Sequence, residues 1–222
     1  HVQKDAGFDG VKDFAAVALV TSAPLFVIVP GNLPVNDLRS FIEYAKKQPT
    51  PLPYATAGIG SFGHLATELF VKAAGLQMTH IPYRGQAPTT NAVISGEVSL
   101  LITSMSSAMS EFIKTGKLKL LAVTSAQASP MSPGVPTIGS VLPGYAAETW
   151  FGFVTTIGTS PETINKLNTE INRILQTKEY SEKMAALGQQ ISVKTPSQLS
   201  TLIAEDSARW GQVVRDNNIR ND

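Results

Sequence analysis

From Thr56 to His64 the chain reads Thr-Ala-Gly-Ile-Gly-Ser-Phe-Gly-His, a run of small residues and hydroxyls suited to holding an anion. Glycine lets a backbone come close to a ligand, and the N–H groups at a helix start, at the positive end of its dipole, attract negative charge. Two anions fit. Gly58-x-Gly60-x-x-Gly63 between a strand and a helix is a dinucleotide fingerprint, and Arg84, at the end of the following strand, stands where a ribose 2′-phosphate is read. That pattern defines an NADP-binding oxidoreductase domain. The other anion is a small carboxylate. It would be held by the backbone of Ala57, Gly58, Ile59 and Gly60, by the hydroxyls of Thr56, Ser61, Thr103 and Ser104, and by the Arg84 guanidinium. Those hydroxyls fall at strand ends or helix starts, the edge at which open α/β sheets bind ligands.

The surrounding residues favour the carboxylate. The strand before the glycines is only Leu52 to Thr56, and Pro51 and Pro53 cannot donate to a ladder, which does not suit the central strand of a nucleotide fold. The chain offers no Tyr-x-x-x-Lys pair and no histidine with a carboxylate partner for hydride transfer. Ser61 and His64 at i, i+3 resemble a nucleophile and base, but there is no Gly-x-Ser-x-Gly elbow and no acid placed to orient the imidazole. His64 either orients the glycine loop or meets the ligand, His80 packs within a strand, and Tyr83 walls the site. Trp150 either lines the cleft or packs near a hinge, and Trp210 belongs to a core.

The elements that position these residues follow from periodicity and punctuation. Phe14 to Val20 and Leu25 to Val29 are short apolar runs bounded by Pro24 and Pro30, and predict buried strands. Asn36 or Asp37 caps a helix with apolar positions Leu38, Phe41, Ile42 and Ala45. Strand, glycine turn and helix then alternate: strand 52–56 with helix 64–74, strand 78–82 with helix 88–95, strand 98–102 with helix 106–114, and strand 118–123. This predicts a mainly parallel sheet with helices on both faces. The stretch 129–145, rich in proline and glycine, predicts an irregular connector. Thr149 to Thr155 is a further strand. Ser160-Pro161 and Thr195-Pro196 each open a helix in the preferred order of cap and first-turn proline, with a third helical block at 180–187 between them.

Composition bounds the class. Among 222 residues, 43% are hydrophobic and 16% charged, as expected of a folded core. Eighteen Lys and Arg against seventeen Asp and Glu give a net charge of +1 without a basic block, so nucleic acid is not expected as a partner. The chain contains no cysteine, and its three histidines make no helical ligand pair, so no disulfide, metal or other cofactor is expected. No run approaches the roughly 18 apolar residues that span a bilayer, so direct membrane insertion is not expected, and residues 1–5 carry no signal-peptide pattern. The start His1-Val2-Gln3-Lys4-Asp5 suggests a truncated product.

Several segments together resemble one family. Tyr54-Ala-Thr-Ala-Gly-Ile-Gly-Ser-Phe-Gly-His64, Ile81-Pro-Tyr-Arg-Gly85, Gly96-Glu-Val-Ser-Leu100, Gly116-Lys-Leu-Lys-Leu-Leu-Ala-Val-Thr-Ser125, Val135-Pro-Thr137 and Thr149-Trp-Phe-Gly152 stand in the order seen in the Bug family. These are the periplasmic solute receptors of tripartite tricarboxylate transporters. The resemblance runs from about Val11 to the C-terminus. It implies a two-lobed α/β fold of the type II periplasmic-binding-protein, or Venus-flytrap, kind, with residues 1–30 and 147–222 in one lobe and 31–146 in the other. It also implies capture of a di- or tricarboxylate, amino acid or aromatic acid, delivery to membrane permease subunits, a periplasmic location and no catalysis. Ala57 to Ser61 would be the binding loop of the second lobe, and the lobes would close about segments near Val29–Pro30 and Pro143–Ala147. The family's opening strand and Pro-Gly-Gly loop have no counterpart here, so part of the first lobe is expected to be missing, with an exposed apolar surface through which two chains could pair. Similar proteins carry Asp where this chain has Ser99 and near Thr103.

Overall fold

The computed structural model describes residues 1–3, 6–129 and 132–220. The sequence expectations that touch Lys4, Asp5, Pro130 and Met131 lie outside the described residues. Two compact units form, His1–Ala23 with Thr149–Asp222, and Pro24–Glu148.

The first unit has a three-stranded sheet in the order β7-β1-β8, built from β1 (Phe14–Pro24), β7 (Glu148–Thr156) and the two-residue β8 (Gln190–Ile191). β8 runs antiparallel to β1, pairing Thr21 with Ile191. Helices α5 (Pro161–Leu175), α6 (Lys178–Ala186) and α7 (Pro196–Asp216) complete the unit. Their starts are legible. Ser160 accepts the Thr163 N–H ahead of Pro161, and Thr195 forms a capping box with Gln198 ahead of Pro196. Ala16, Leu19 and Leu199 form the local core, covered by Trp150, Leu202 and Ile203.

The second unit carries the glycine loop. Its five-stranded sheet has the order β4-β3-β5-β2-β6, from β2 (Phe26–Pro30), β3 (Leu52–Thr56), β4 (Met78–Pro82), β5 (Leu100–Thr103) and β6 (Leu118–Val123). β3 is parallel to β4 and β5, whereas β2 runs antiparallel to both β5 and β6. The sheet is therefore mixed rather than mainly parallel. Alternating βα segments predict parallel neighbours, but β2 precedes that alternation and slots between β5 and β6 in the opposite sense. For the same reason β2, which the sequence reading grouped with residues 1–30, belongs to this sheet.

Helices α1 (Leu38–Lys46), α2 (Phe62–Ala74), α3 (Gln86–Ser95) and α4 (Ser107–Lys114) flank the sheet. Strand alternation divides its faces. Phe26, Ile28, Ala55 and Leu101 point one way and pack with Ala92 and Val93 of α3 and Met109 of α4. Tyr54 points the other way and donates its hydroxyl proton to Glu68 of α2. On that side the Phe41 and Phe70 rings lie 6.4 Å apart. The stretch read as an irregular connector contains one 3-10 turn, Ile138–Ser140, and is anchored. Tyr145 is buried and donates to the Ala66 carbonyl at 2.9 Å.

Candidate functional site

Because β3, β4 and β5 are mutually parallel, their C-terminal ends open on one edge of the sheet, and each leads into a helix start. Thr56 ends β3 and the loop 57–61 leads into α2. Pro82 ends β4, and Tyr83, Arg84 and Gly85 lead into α3. Thr103 ends β5, and Ser104 to Ser106 lead into α4. Three helix N-termini thus share the edge, which favours an anion there.

The glycine loop has a defined shape. Gly58 and Gly60 adopt φ of 142° and 74°, conformations that side-chain-bearing residues rarely take. The Ser61 N–H donates to the Gly58 carbonyl at 3.2 Å, and the Ser61 hydroxyl caps α2 by accepting the His64 N–H at 3.3 Å. The Gly60 N–H donates to His64 Nδ1 at 3.1 Å. Thr56, 1% exposed, donates its hydroxyl to the Gly58 carbonyl at 3.2 Å and receives the Gly58 N–H at 3.4 Å. Among the described residues the Ala57 and Ile59 N–H groups meet no protein acceptor. The third glycine serves packing: a Cβ on Gly63 would stand 2.7 Å from the Ile102 carbonyl, so α2 lies directly on β5.

Beneath the loop is a polar cluster that no local pattern announced. The β3–β4 register sets Tyr54 opposite His80, and their rings stack with centroids 5.0 Å apart. His80 stacks in turn on His64 at 3.9 Å, and His80 Nε2 lies 2.6 Å from Thr56 Oγ1. His64 Nε2 faces Glu68 Oε1 at 3.8 Å. His64 is 5% exposed, and loss of solvent, with a smaller contribution from His80, lowers its pKa from 6.5 to about 4. Burial lowers the His80 pKa too. The Tyr54 hydroxyl is held protonated by burial and by Glu68. The sequence reading had His80 as packing alone; it also meets Thr56.

The remaining candidates divide. Tyr83 is half-buried and donates to Glu97 at 2.6 Å, and loss of solvent together with that carboxylate pushes its hydroxyl up to about 12. Arg84 is exposed. Thr103 and Ser104 are joined to the α3 start by Gln86, whose Nε2 donates to the Ser104 carbonyl at 2.7 Å and contacts Thr103 Oγ1 at 3.4 Å. Gln86 escaped the sequence reading because a lone Gln carries no motif. Gly85, at φ 99°, gives α3 no side-chain cap. Trp150 lies in the first unit, packed near Leu199 and donating its indole N–H to Asp206 at 2.7 Å.

The fold is that of periplasmic binding proteins. The chain matches a solved structure of R. palustris Rpa4515 with adipate at TM-score 0.82 and 31% identity, covering 99% of this chain and 73% of that one. It matches MatC (Rpa3494) from Rhodopseudomonas palustris with bound malate at TM-score 0.76 and 27% identity, covering 95% and 72%. The sequence profile of the tripartite tricarboxylate transporter family receptor, TctC, matches residues 1–219, and the chain belongs to this family. It is 34% identical over 207 residues to Protein BugT of Bordetella pertussis, covering 93% of this chain and 63% of that protein. It likewise spans 61% of a UPF0065 relative from a Pseudomonas species, at 31% identity. The dinucleotide reading of Gly58-x-Gly60-x-x-Gly63 finds no support. The sheet carries an antiparallel strand between β5 and β6, where a Rossmann sheet runs parallel.

Proposed function

We propose that the protein captures a small organic carboxylate in the periplasm and presents it to the membrane permease of a tripartite tricarboxylate-type transporter, with no chemistry of its own. The observation that carries this reading is the glycine loop. It offers the Ala57 and Ile59 N–H groups at the start of α2, beside the starts of α3 and α4, in a family whose solved relatives include complexes with adipate and malate. Ala57 to Ser61, Thr103 and Ser104 would line that edge, with Arg84 available to a distal carboxylate, while buried Thr56 supports the loop from beneath. Among the described residues no helix is long and apolar enough to cross a membrane, and no group of three or more His, Asp or Glu side chains could hold a metal.

A ligand bound only by the folded state raises the melting temperature by mass action. Thermal-shift scans with adipate, malate, an aromatic acid and NADPH test the reading. Stabilisation by at least one carboxylate and none by NADPH is expected; stabilisation by NADPH alone would reverse the conclusion.

A further inference from the structure

The two stacked histidines, His64 buried and His80 half-buried, satisfy the loop rather than face a ligand. His64 Nδ1 accepts the Gly60 N–H, so that nitrogen carries no proton and the ring is the Nε2–H tautomer, with Nε2 turned toward Glu68. His80 Nε2 meets Thr56 Oγ1, the same oxygen that engages both backbone groups of Gly58. The rings lie 20° from parallel at 3.9 Å, so displacement of one ring displaces the other. Gly58 and Gly60 are the two loop residues in unusual backbone conformations. Each is therefore tied to one imidazole, Gly60 directly and Gly58 through a hydroxyl.

We propose that His64 and His80 are positioning residues of the anion loop: His64 fixes the Gly60 peptide, His80 fixes Gly58 through Thr56, and their stack couples the two ties so that the loop N–H groups hold one direction. This rests on the carboxylate reading for its consequence in binding, but the positioning itself is a property of the chain alone. The groups facing the imidazoles are Glu68 from α2 and Tyr54 and Thr56 from β3. A loop whose amides are set before the ligand arrives loses less freedom on binding, which appears as affinity.

Long-range proton–nitrogen NMR of the chain labelled in its histidines reads the protonation of each ring nitrogen without any substitution. At neutral pH His64 is expected as the Nε2–H tautomer with Nδ1 an acceptor; a protonated Nδ1 overturns the proposal. His64→Phe keeps a ring for the stack but removes the acceptor. It should shift the Gly60 amide resonance and weaken adipate or malate binding about tenfold, the loss expected for one hydrogen bond. His64→Asn places Oδ1 near the lost Nδ1 and should restore both readouts. His80→Phe should shift the Gly58 amide, and through the stack that of Gly60. An unmoved Gly60 amide in His64→Phe, or no recovery in His64→Asn, overturns the assignment. If the unaltered chain binds neither acid while the amides behave as expected, the positioning stands and the carboxylate reading is what fails.

Discussion

The imidazole of His64, at the start of α2, lies face to face with that of His80, in β4, at 3.9 Å between centroids. His64 is buried and His80 half-buried, so a proton added to either ring costs solvation under the glycine loop. The folded protein holds His64 near pKa 4, against an ordinary value of 6.5. Between those values the unfolded chain binds more protons than the folded one, so stability rises with pH across this window. Above about 6.5 the contribution is complete; it is lost as pH falls toward 4 and is flat below. Its size is about 3 kcal/mol. Denaturant unfolding of the parent and of His64→Asn from neutral to acid pH should show a steeper acid loss in the parent by about that amount; parallel curves would exclude the assignment.

Gly60 at φ 74° occupies left-handed backbone, where a β-branched residue is strained. Gly60→Val should turn the peptide away from His64 Nδ1 and aim the neighbouring N–H groups elsewhere. The melting transition should remain, with stability reduced by about 1–2 kcal/mol, while stabilisation by adipate or malate disappears. Gly60→Asn, which tolerates this conformation better, should keep part of the ligand response. Full ligand response in the Val variant would show that the loop conformation is not needed.

Legibility in the sequence followed the range of the interaction. The Ser160-Pro161 and Thr195-Pro196 helix starts are local chemistry, and each lies where the residues indicated. Helix α2 begins at Phe62, two residues before His64, because the Ser61 hydroxyl caps it. Helix α3 begins at Gln86, two residues before Pro88, because Gly85 turns the chain into it without a side-chain cap. The place of β2 between β5 and β6 depends on which strand edges remain open, which segment order does not specify. The histidine stack was illegible for the same reason. Tyr54 and His80 meet only through parallel register, and His64 reaches them from the helix above. The glycine pattern drew attention to the loop 57–61, but under a nucleotide reading that the sheet does not support.

Gly63 matched the third glycine of that pattern, and the structure gives it a packing role. The nearest obstacle to a Cβ is the backbone carbonyl of Ile102, which cannot rotate aside. Gly63→Ala should therefore push α2 off β5 and cost about 1–3 kcal/mol, the range for overpacking a close contact. Alanine is the better helix former, by up to about 1 kcal/mol, so the sign of the result discriminates. Destabilisation measured by denaturant unfolding supports the contact, and stabilisation would mean that α2 sits less tightly than the geometry indicates.

Gln86 separates fold from binding most sharply. Its amide joins the start of α3 to the end of β5 through the Ser104 carbonyl and Thr103 Oγ1, yet the side chain is exposed. Gln86→Ala should change stability by no more than about 0.5 kcal/mol, as for most surface substitutions. It should nevertheless weaken carboxylate binding by releasing the β5–α4 turn. Gln86→Glu is the more telling variant. A carboxylate cannot donate to the Ser104 carbonyl, so the tie is lost as in Gln86→Ala. The new negative charge sits in the first turn of α3, where the helix dipole stabilises it by about 0.3–1 kcal/mol. The same charge repels an incoming carboxylate ligand. Stability and affinity should therefore move in opposite directions in Gln86→Glu, with a greater loss of adipate or malate binding than in Gln86→Ala and no loss in melting temperature. A parallel fall of both would mean that Gln86 supports the fold, whereas unchanged affinity in both variants would move the ligand away from the α3 start.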